Sequence, residues 1–172
     1  MKIYDIDKNY IKYLQKFDSF ILNAEGKNYK RERKYLGVIF TINYCDYFIP
    51  LSSPDSIDDY QNGKIRASSP VVIRMVKKDK NNNDSLLGTL RLNTMIPVYN
   101  RSVIINYDLN AETDLKYKDL IINELSFIHK NKDDILKKAT KLYKQKIKKY
   151  KIPMLNNVCN FSLLEEKAKE YK

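Results

Sequence analysis

The stretch YLGVIFTINYCDYFIPL, residues 35–51, decides the fold of this chain. Its two ends, residues 35–42 and 47–51, are rich in β-branched and aromatic side chains, which favour strands. Residues 43–46 separate them and contain Asn43 and Asp46, which are typical of turns. The stretch therefore predicts an antiparallel hairpin. Pro50 has no amide hydrogen to donate, so we expect its strand to lie at a sheet edge or to end there.

More strands are predicted on both sides of this hairpin. They lie at residues 2–6, 71–76, 86–92 and 97–107. Residues 52–70 contain two Ser-Ser-Pro triplets and predict a long loop that is ordered or functional.

Helices follow the strands. Apolar residues at helical spacing predict one helix after the cap residue Asp7, continuing to Ile21, and two more at residues 115–130 and 133–149. A last helix is expected to start at Asn160 or Ser162, because Ser162 and Glu165 have capping-box spacing. The order predicts one α+β domain over residues 1–172, with five or six antiparallel strands and a helical C-terminal part.

Composition excludes two broad classes of protein. Hydrophobic residues make up 43% of 172, which excludes intrinsic disorder, and no run of 18 apolar residues predicts a membrane span. The start Met-Lys-Ile-Tyr-Asp has no apolar leader. We therefore expect a cytoplasmic protein whose two cysteines, Cys45 and Cys159, stay reduced.

The net charge of +11 points to a polyanionic partner, most often a nucleic acid. An AT-rich codon bias would also enrich lysine, but it does not dictate net charge. Five cations and one acid lie in residues 27–34, and ten lysines and two aspartates lie in residues 130–151. Each cluster is interpreted either as a phosphate-binding surface or as an ordinary solvated charge run.

Few kinds of catalytic site are compatible with the residues present. His129 is the single histidine, which excludes a ribonuclease with two catalytic histidines. The two cysteines are isolated and four glycines cannot form a phosphate-cradling loop, so we expect no metal and no other cofactor. Ser52 and Ser53 offer two hydroxyls after a strand, either for chemistry or for local bonds to the backbone.

Eight segments resemble, in order, the ToxN/AbiQ endoribonuclease family of type III toxin–antitoxin systems. They are residues 1–4, 10–14, 17–18, 35–38, 47–54, 68–70, 95–97 and 159–167. The most specific are Pro-Leu-Ser-Ser-Pro, residues 50–54, and Cys-Asn-Phe-Ser-Leu-Leu-Glu-Glu-Lys, residues 159–167.

The resemblance implies a compact, barrel-like antiparallel sheet related to the MazF/Kid toxin fold, with surrounding helices. It implies a metal-independent endoribonuclease that acts on cellular and phage RNA in abortive infection, often at A-rich sequence. Its inhibitor would be a small structured RNA antitoxin, encoded as repeats and processed by the toxin, in a cyclic toxin–RNA assembly.

The family pattern also assigns an active site. It places active-site residues at Tyr29, Arg33, Ser52 and Ser53. Our hypothesis is that Arg33 stabilises a phosphorane and that Ser53 with Ser52 positions the phosphate or the 2′-hydroxyl. In this hypothesis Tyr29 stacks on a base or donates a proton, and Lys34 adds a positive electrostatic field or acts as an acid. The general base stays unassigned.

One position departs from that pattern. The family often has lysine after the Ser-Ser-Pro proline, whereas this chain has Asp55, which leaves Lys34 and Arg66 as substitute phosphate contacts. The residues expected to contact RNA are Lys30, Arg31, Arg66, Ser68, Ser69, Lys141, Lys144 and Lys148.

Two other classes of function stay open from the sequence. A non-catalytic basic RNA-binding protein would explain the charge, but it gives no reason for the Ser-Ser-Pro turn. A DNA-binding regulator is disfavoured, because the lysine-rich helix lacks the recognition face of a helix-turn-helix.

Overall fold

The structure, a computed structural model, describes residues 2–22 and 36–171. Nine strands lie in those two ranges: β1 (Tyr4–Ile6), β2 (Gly37–Ile42), β3 (Cys45–Ser52), β4 (Tyr60–Gln61), β5 (Lys64–Ile65), β6 (Val72–Lys78), β7 (Asp84–Arg91), β8 (Ile96–Val98) and β9 (Ile104–Asn106). Four α-helices accompany them: α1 (Lys8–Gln15), α2 (Leu115–Lys130), α3 (Lys132–Ile147) and α4 (Phe161–Glu170).

The predicted hairpin is confirmed as β2 and β3, paired antiparallel from Gly37 opposite Pro50 to Ile42 opposite Cys45. Asn43 and Tyr44 form its turn with φ angles of 50° and 64°. These values lie in the left-handed region, which suits a tight hairpin whose twist matches the strands.

The expectation that Pro50 marks an edge strand is wrong. β3 is the central strand of the sheet and pairs with three others. β8 pairs with residues 46–48 and β7 with residues 51–52, so Pro50 lies between the two pairings, where its missing amide hydrogen breaks no bond to either.

The strands form a seven-stranded antiparallel sheet in the order β6-β7-β3-β2-β1-β9, with β8 paired to β3. The α+β prediction is confirmed. Residues 97–107 contain the end of β8 and all of β9 rather than one strand, because a 3-10 turn at Arg101–Val103 separates the two strands. Within the described ranges β6 and β9 end the order without pairing to each other.

The helix predictions are confirmed in position, with two corrections at helix ends. Asp7 caps α1 as expected, but α1 ends at Gln15 and leaves Ile21 outside it. The capping box at Ser162 is wrong. Asn160 caps α4 by accepting a bond from Leu163 N, while Glu165 accepts bonds from the hydroxyls of Tyr47 (2.6 Å) and Tyr143 (3.0 Å).

The helices cover the sheet and create its core. α3 packs on β2 and α4 on β8, where the rings of Tyr47, Tyr143 and Phe161 meet. α2 packs on β7 at Gly88, where a Cβ atom would lie 2.3 Å from Glu124 Oε1. Among the helices of the described ranges, none has both the length and the apolar character that crossing a membrane requires.

Candidate active site

The Ser52-Ser53-Pro54 turn lies at the C-terminal end of β3, the most highly paired strand of the sheet. Ser52 is opposite Thr89 of β7 and is half-buried, whereas Ser53 is exposed. Directly before the turn, Leu51 N donates a 2.8 Å hydrogen bond to Leu36 O. Leu36 is the first described residue after the basic cluster 27–34 in the sequence.

Asp55 gives the turn a fixed negative charge. Its carboxylate accepts hydrogen bonds from the backbone amides of Ile57 and Asp58, each at 2.8 Å. The amides of Asp58 and Ile57, in that order, lower the pKa of Asp55 below its ordinary value. A carboxylate held ionised in this way is a weak base, so Asp55 contributes charge rather than proton abstraction.

A buried ion pair fastens the loop that follows the turn. Asp59 is fully buried and its Oδ1 lies 3.0 Å from Arg74 Nε on β6. Its other oxygen accepts a bond from Asp55 N at 2.9 Å. Arg74 also donates to the carbonyls of Ala67 and Asp58, each at 2.8 Å. These bonds hold both ends of the loop against β6.

The same loop contains a small hairpin that the sequence analysis missed. β4 and β5 pair across Asn62 and Gly63, whose φ angles are 52° and 73°. An Asn-Gly dipeptide is the strongest short-range signal for such a hairpin, so the signal was present in the sequence. The expectation that residues 52–70 form an ordered loop is confirmed.

Three predicted RNA-contacting residues lie in this loop and already bond to the protein. Arg66 is exposed, and its Nε donates to Tyr60 O at 3.0 Å. Ser68 Oγ accepts from Arg74 N at 2.8 Å, and Ser69 Oγ accepts from Val72 N at 3.1 Å. Both serine oxygens therefore support the loop, and a contact with RNA stays a prediction for all three residues.

The predicted lysine surface lies elsewhere, on α3. Lys141, Lys144 and Lys148 are exposed and line one groove with Lys137 and Tyr150. Residues three and four apart share a helix face, so the lysines form one basic stripe beside an aromatic ring. Such a stripe suits a phosphate backbone, with the ring available for stacking.

Five predicted site residues lie outside the described residues. They are Tyr29, Lys30, Arg31, Arg33 and Lys34.

The sequence analysis also missed two polar residues next to the turn. Thr89 Oγ1 and Arg91 Nε are buried and have no hydrogen-bond partner among the described residues. They lie two residues apart on β7, with Thr89 opposite Ser52. No motif marks them in the sequence, because only the pairing of β3 with β7 brings them there. Within residues 2–22 and 36–171, no three His, Cys, Asp or Glu side chains are grouped so as to hold a metal.

Comparisons with known proteins match this chain over nearly all its length. The family described as "Toxin ToxN, type III toxin-antitoxin system" matches residues 2–169. Endoribonuclease ToxN of Pectobacterium atrosepticum is 30% identical over 99% of this chain and 94% of its own length.

Two solved structures are also similar. One, from work on a processed non-coding RNA that regulates a bacterial antiviral system, has a TM-score of 0.81 at 28% identity and covers 99% of both chains. The other, from work on selective toxin inhibition by a non-coding RNA pseudoknot in type III systems, has a TM-score of 0.72 at 30% identity. It covers 99% of this chain and 96% of its own.

Proposed function

The chain belongs to the ToxN family of type III toxin–antitoxin toxins, and we propose that it cleaves RNA at the Ser52-Ser53-Pro54 turn. It is an endoribonuclease toxin, and its partner is a small structured RNA antitoxin. Its RNA substrates are cellular and phage transcripts, which places its action in the cytoplasm.

One observation carries the assignment of the site. The hydrogen bond from Leu51 N to Leu36 O lies directly before the two serines, and Leu36 follows the basic cluster 27–34 closely in the sequence. Arg33 and Lys34 precede Leu36 by three and two residues. Cations and hydroxyl donors around one point are what a phosphoryl transition state requires.

The proposed reaction uses the 2′-hydroxyl of the substrate as nucleophile. Its oxygen attacks the adjacent phosphorus, the bond from phosphorus to the 5′-oxygen breaks, and a 2′,3′-cyclic phosphate remains. Ser53, with Ser52, positions the phosphate or the 2′-hydroxyl, and Arg33 stabilises the charge of the phosphorane. Removing one such donor costs about 3–4 kcal/mol of transition-state stabilisation, by analogy with oxyanion holes.

The remaining proton transfers involve the other basic-cluster residues. Tyr29 stacks on a base or donates a proton, and Lys34 supplies field or protonates the leaving 5′-oxygen. Arginine stays protonated, so Arg33 stabilises charge without donating a proton. No metal takes part in this reaction.

Product analysis tests this function. We would incubate the purified protein with A-rich RNA in EDTA and determine the ends of the products. Cyclic phosphate and 5′-hydroxyl ends are expected. Intact RNA with a gel shift would instead establish a non-catalytic RNA-binding protein.

Two variants test the site. Ser53→Ala and Arg33→Ala are expected to abolish cleavage in a folded protein. Ser56→Ala and Arg101→Ala serve as matched controls, since both residues are exposed and lie outside the proposed machinery. If both site variants cut RNA at the parental rate, the assignment of the site is wrong.

The lysine stripe of α3 is proposed to capture RNA through its phosphates. Reversing the charges of Lys141, Lys144 and Lys148 should weaken binding of antitoxin and substrate, and should flatten the dependence of affinity on salt. Unchanged RNA affinity would remove this role. Mass photometry of toxin mixed with processed antitoxin would reveal a cyclic assembly as one discrete mass.

A further inference from the structure

Arg91 is a half-buried cation at the end of β7 whose Nε is buried. In the described part of the chain this nitrogen has no hydrogen-bond partner, and neither has the hydroxyl of Thr89 two residues earlier. Buried donors without partners destabilise a protein and are rare. Because the two groups lie close together on one strand, we expect a bound ligand or substrate to supply the missing hydrogen bonds.

The pairing of the strands places Arg91 at the proposed active site. Ser52 and Thr89 are directly opposite in an antiparallel pair, so their side chains lie on the same face, with Cα atoms about 4.5–5.5 Å apart. Arg91 is two residues further along β7, hence on that face too. Because the strands are antiparallel, it lies on the Pro50 side of Thr89, with its Cα about 7–8 Å diagonally from that of Ser52. An arginine side chain spans such a distance, so its guanidinium can reach a group held by Ser52.

The charge of Arg91 also acts on the turn itself. Besides the amides of Asp58 and Ile57, the charge of Arg91 lowers the pKa of Asp55. Arg74, the other arginine of this face, is already bound by the buried carboxylate of Asp59 and by two carbonyls. Arg91 Nε, by contrast, has no hydrogen-bond partner among the described residues.

We propose that Arg91 binds a phosphate group of the RNA substrate at the Ser52–Asp55 turn. The inference rests on the proposed function and adds to it a residue that the sequence analysis did not identify. The guanidinium is planar and matches two phosphate oxygens, while its buried stem fixes its direction before the substrate arrives. Asp55 keeps a negative charge beside it and weakens its attraction for phosphate until RNA displaces that interaction.

The first test measures cleavage. Arg91→Ala should lower kcat/KM for A-rich RNA about 10- to 100-fold, the effect of losing a charge-assisted hydrogen bond. Arg91→Lys keeps the positive charge but loses the paired N–H donors of the guanidinium, so it should recover part of the loss. This variant also tests the proposal if the alanine variant does not fold. Arg101→Ala is the matched control, because Arg101 is an exposed arginine that pairs with Asp46, about 20 Å away along β3 from Ser52. It should change kcat/KM less than about twofold.

The second test has a readout that a merely structural role would not change. Affinity for 2′-O-methyl A-rich RNA, which has no nucleophile, is measured across a salt series. Arg91→Ala should reduce the slope of log K against log salt by about 0.7, the value for one phosphate contact on a single strand. Asp55→Asn, which can still accept the amides of the turn, should raise affinity, and by more when Arg91 is present than in Arg91→Ala.

The outcomes separate this inference from the proposed function. If Arg91→Ala is folded and has the parental kcat/KM and salt slope while Ser53→Ala is inactive, the role of Arg91 is overturned and the proposed site stands. If Ser53→Ala is fully active, the proposed site itself is wrong.

Discussion

Removing the charge of Asp59 is expected to cost a large part of the stability of this protein. Asp59 is fully buried, and one of its oxygens pairs with Arg74 Nε at 3.0 Å while the other accepts Asp55 N at 2.9 Å. In Asp59→Asn the side chain keeps its shape but has one acceptor oxygen instead of two. Arg74, with 9% of its side chain exposed, would then hold a buried charge without a counterion.

The magnitude follows from the burial of the pair. Breaking a buried ion pair by removing one partner costs about 3–5 kcal/mol. We expect the lower end, about 3 kcal/mol, because Arg74 keeps its bonds to the carbonyls of Ala67 and Asp58. For a domain of this size that loss lowers Tm by about 6–12 °C. Cleavage of RNA should fall as well, since the pair fastens the loop that follows Ser53.

Urea denaturation and thermal melting measure this change. Asp58→Asn is the matched control, because Asp58 is the neighbouring aspartate and is exposed, and it should stay within about 0.5 kcal/mol of the parent. Adding Arg74→Gln to Asp59→Asn should recover part of the loss, since no unpaired charge remains. A loss below about 1 kcal/mol for Asp59→Asn would refute the view that this pair stabilises the loop.

Three further predictions follow from the packing of the described residues. Gly88→Ala should lower the free energy of unfolding by about 1–3 kcal/mol in urea, because its Cβ would lie 2.3 Å from Glu124 Oε1; an unchanged midpoint would contradict that close packing. Burial raises the pKa of the Cys45 thiol to about 11, so iodoacetamide at pH 8 should modify it only when the protein unfolds, as mass spectrometry would detect. Burial also raises the pKa of Tyr10 and Tyr47 above 10.0, so above pH 10 the native chain binds more protons than the unfolded one. The contribution of these two tyrosines to the free energy of unfolding is therefore fully present below pH 10 and decreases as the pH rises above 10. Equal urea midpoints at pH 9 and pH 11 would contradict this.

Features with local causes were predictable from the sequence. The hairpin of β2 and β3 follows from two β-rich runs around a short turn, and α2 follows from its apolar spacing, over the same residues as predicted. The cap at Asp7 depends on amides only two and three residues away. Each of these features depends on residues that are close in the sequence, within about one helical turn or one hairpin, and sequence patterns detect interactions over that distance.

Features with distant causes were not predictable. Ser162 has the spacing of a capping box, yet the residue that caps α4 is Asn160, whose amide donates to Asp18 Oδ2 at 2.6 Å across 142 residues. The pair of Asp59 and Arg74 and the placement of Arg91 beside Ser52 also depend on which strands meet. The serines of the first Ser-Ser-Pro triplet were predicted as catalytic and those of the second as RNA contacts, but no local pattern indicates that the second triplet bonds to β6.

The two outer strands of the sheet bear on how copies of this toxin can associate. Within the described ranges β6 and β9 each pair with one neighbouring strand. The outer side of each therefore presents N–H and C=O groups that no described strand pairs. β9 is only three residues long, and β6 ends in Lys77 and Lys78. Short or cationic rims oppose extension of one sheet by another. Both rims therefore disfavour the joining of two free toxin molecules into one continuous sheet.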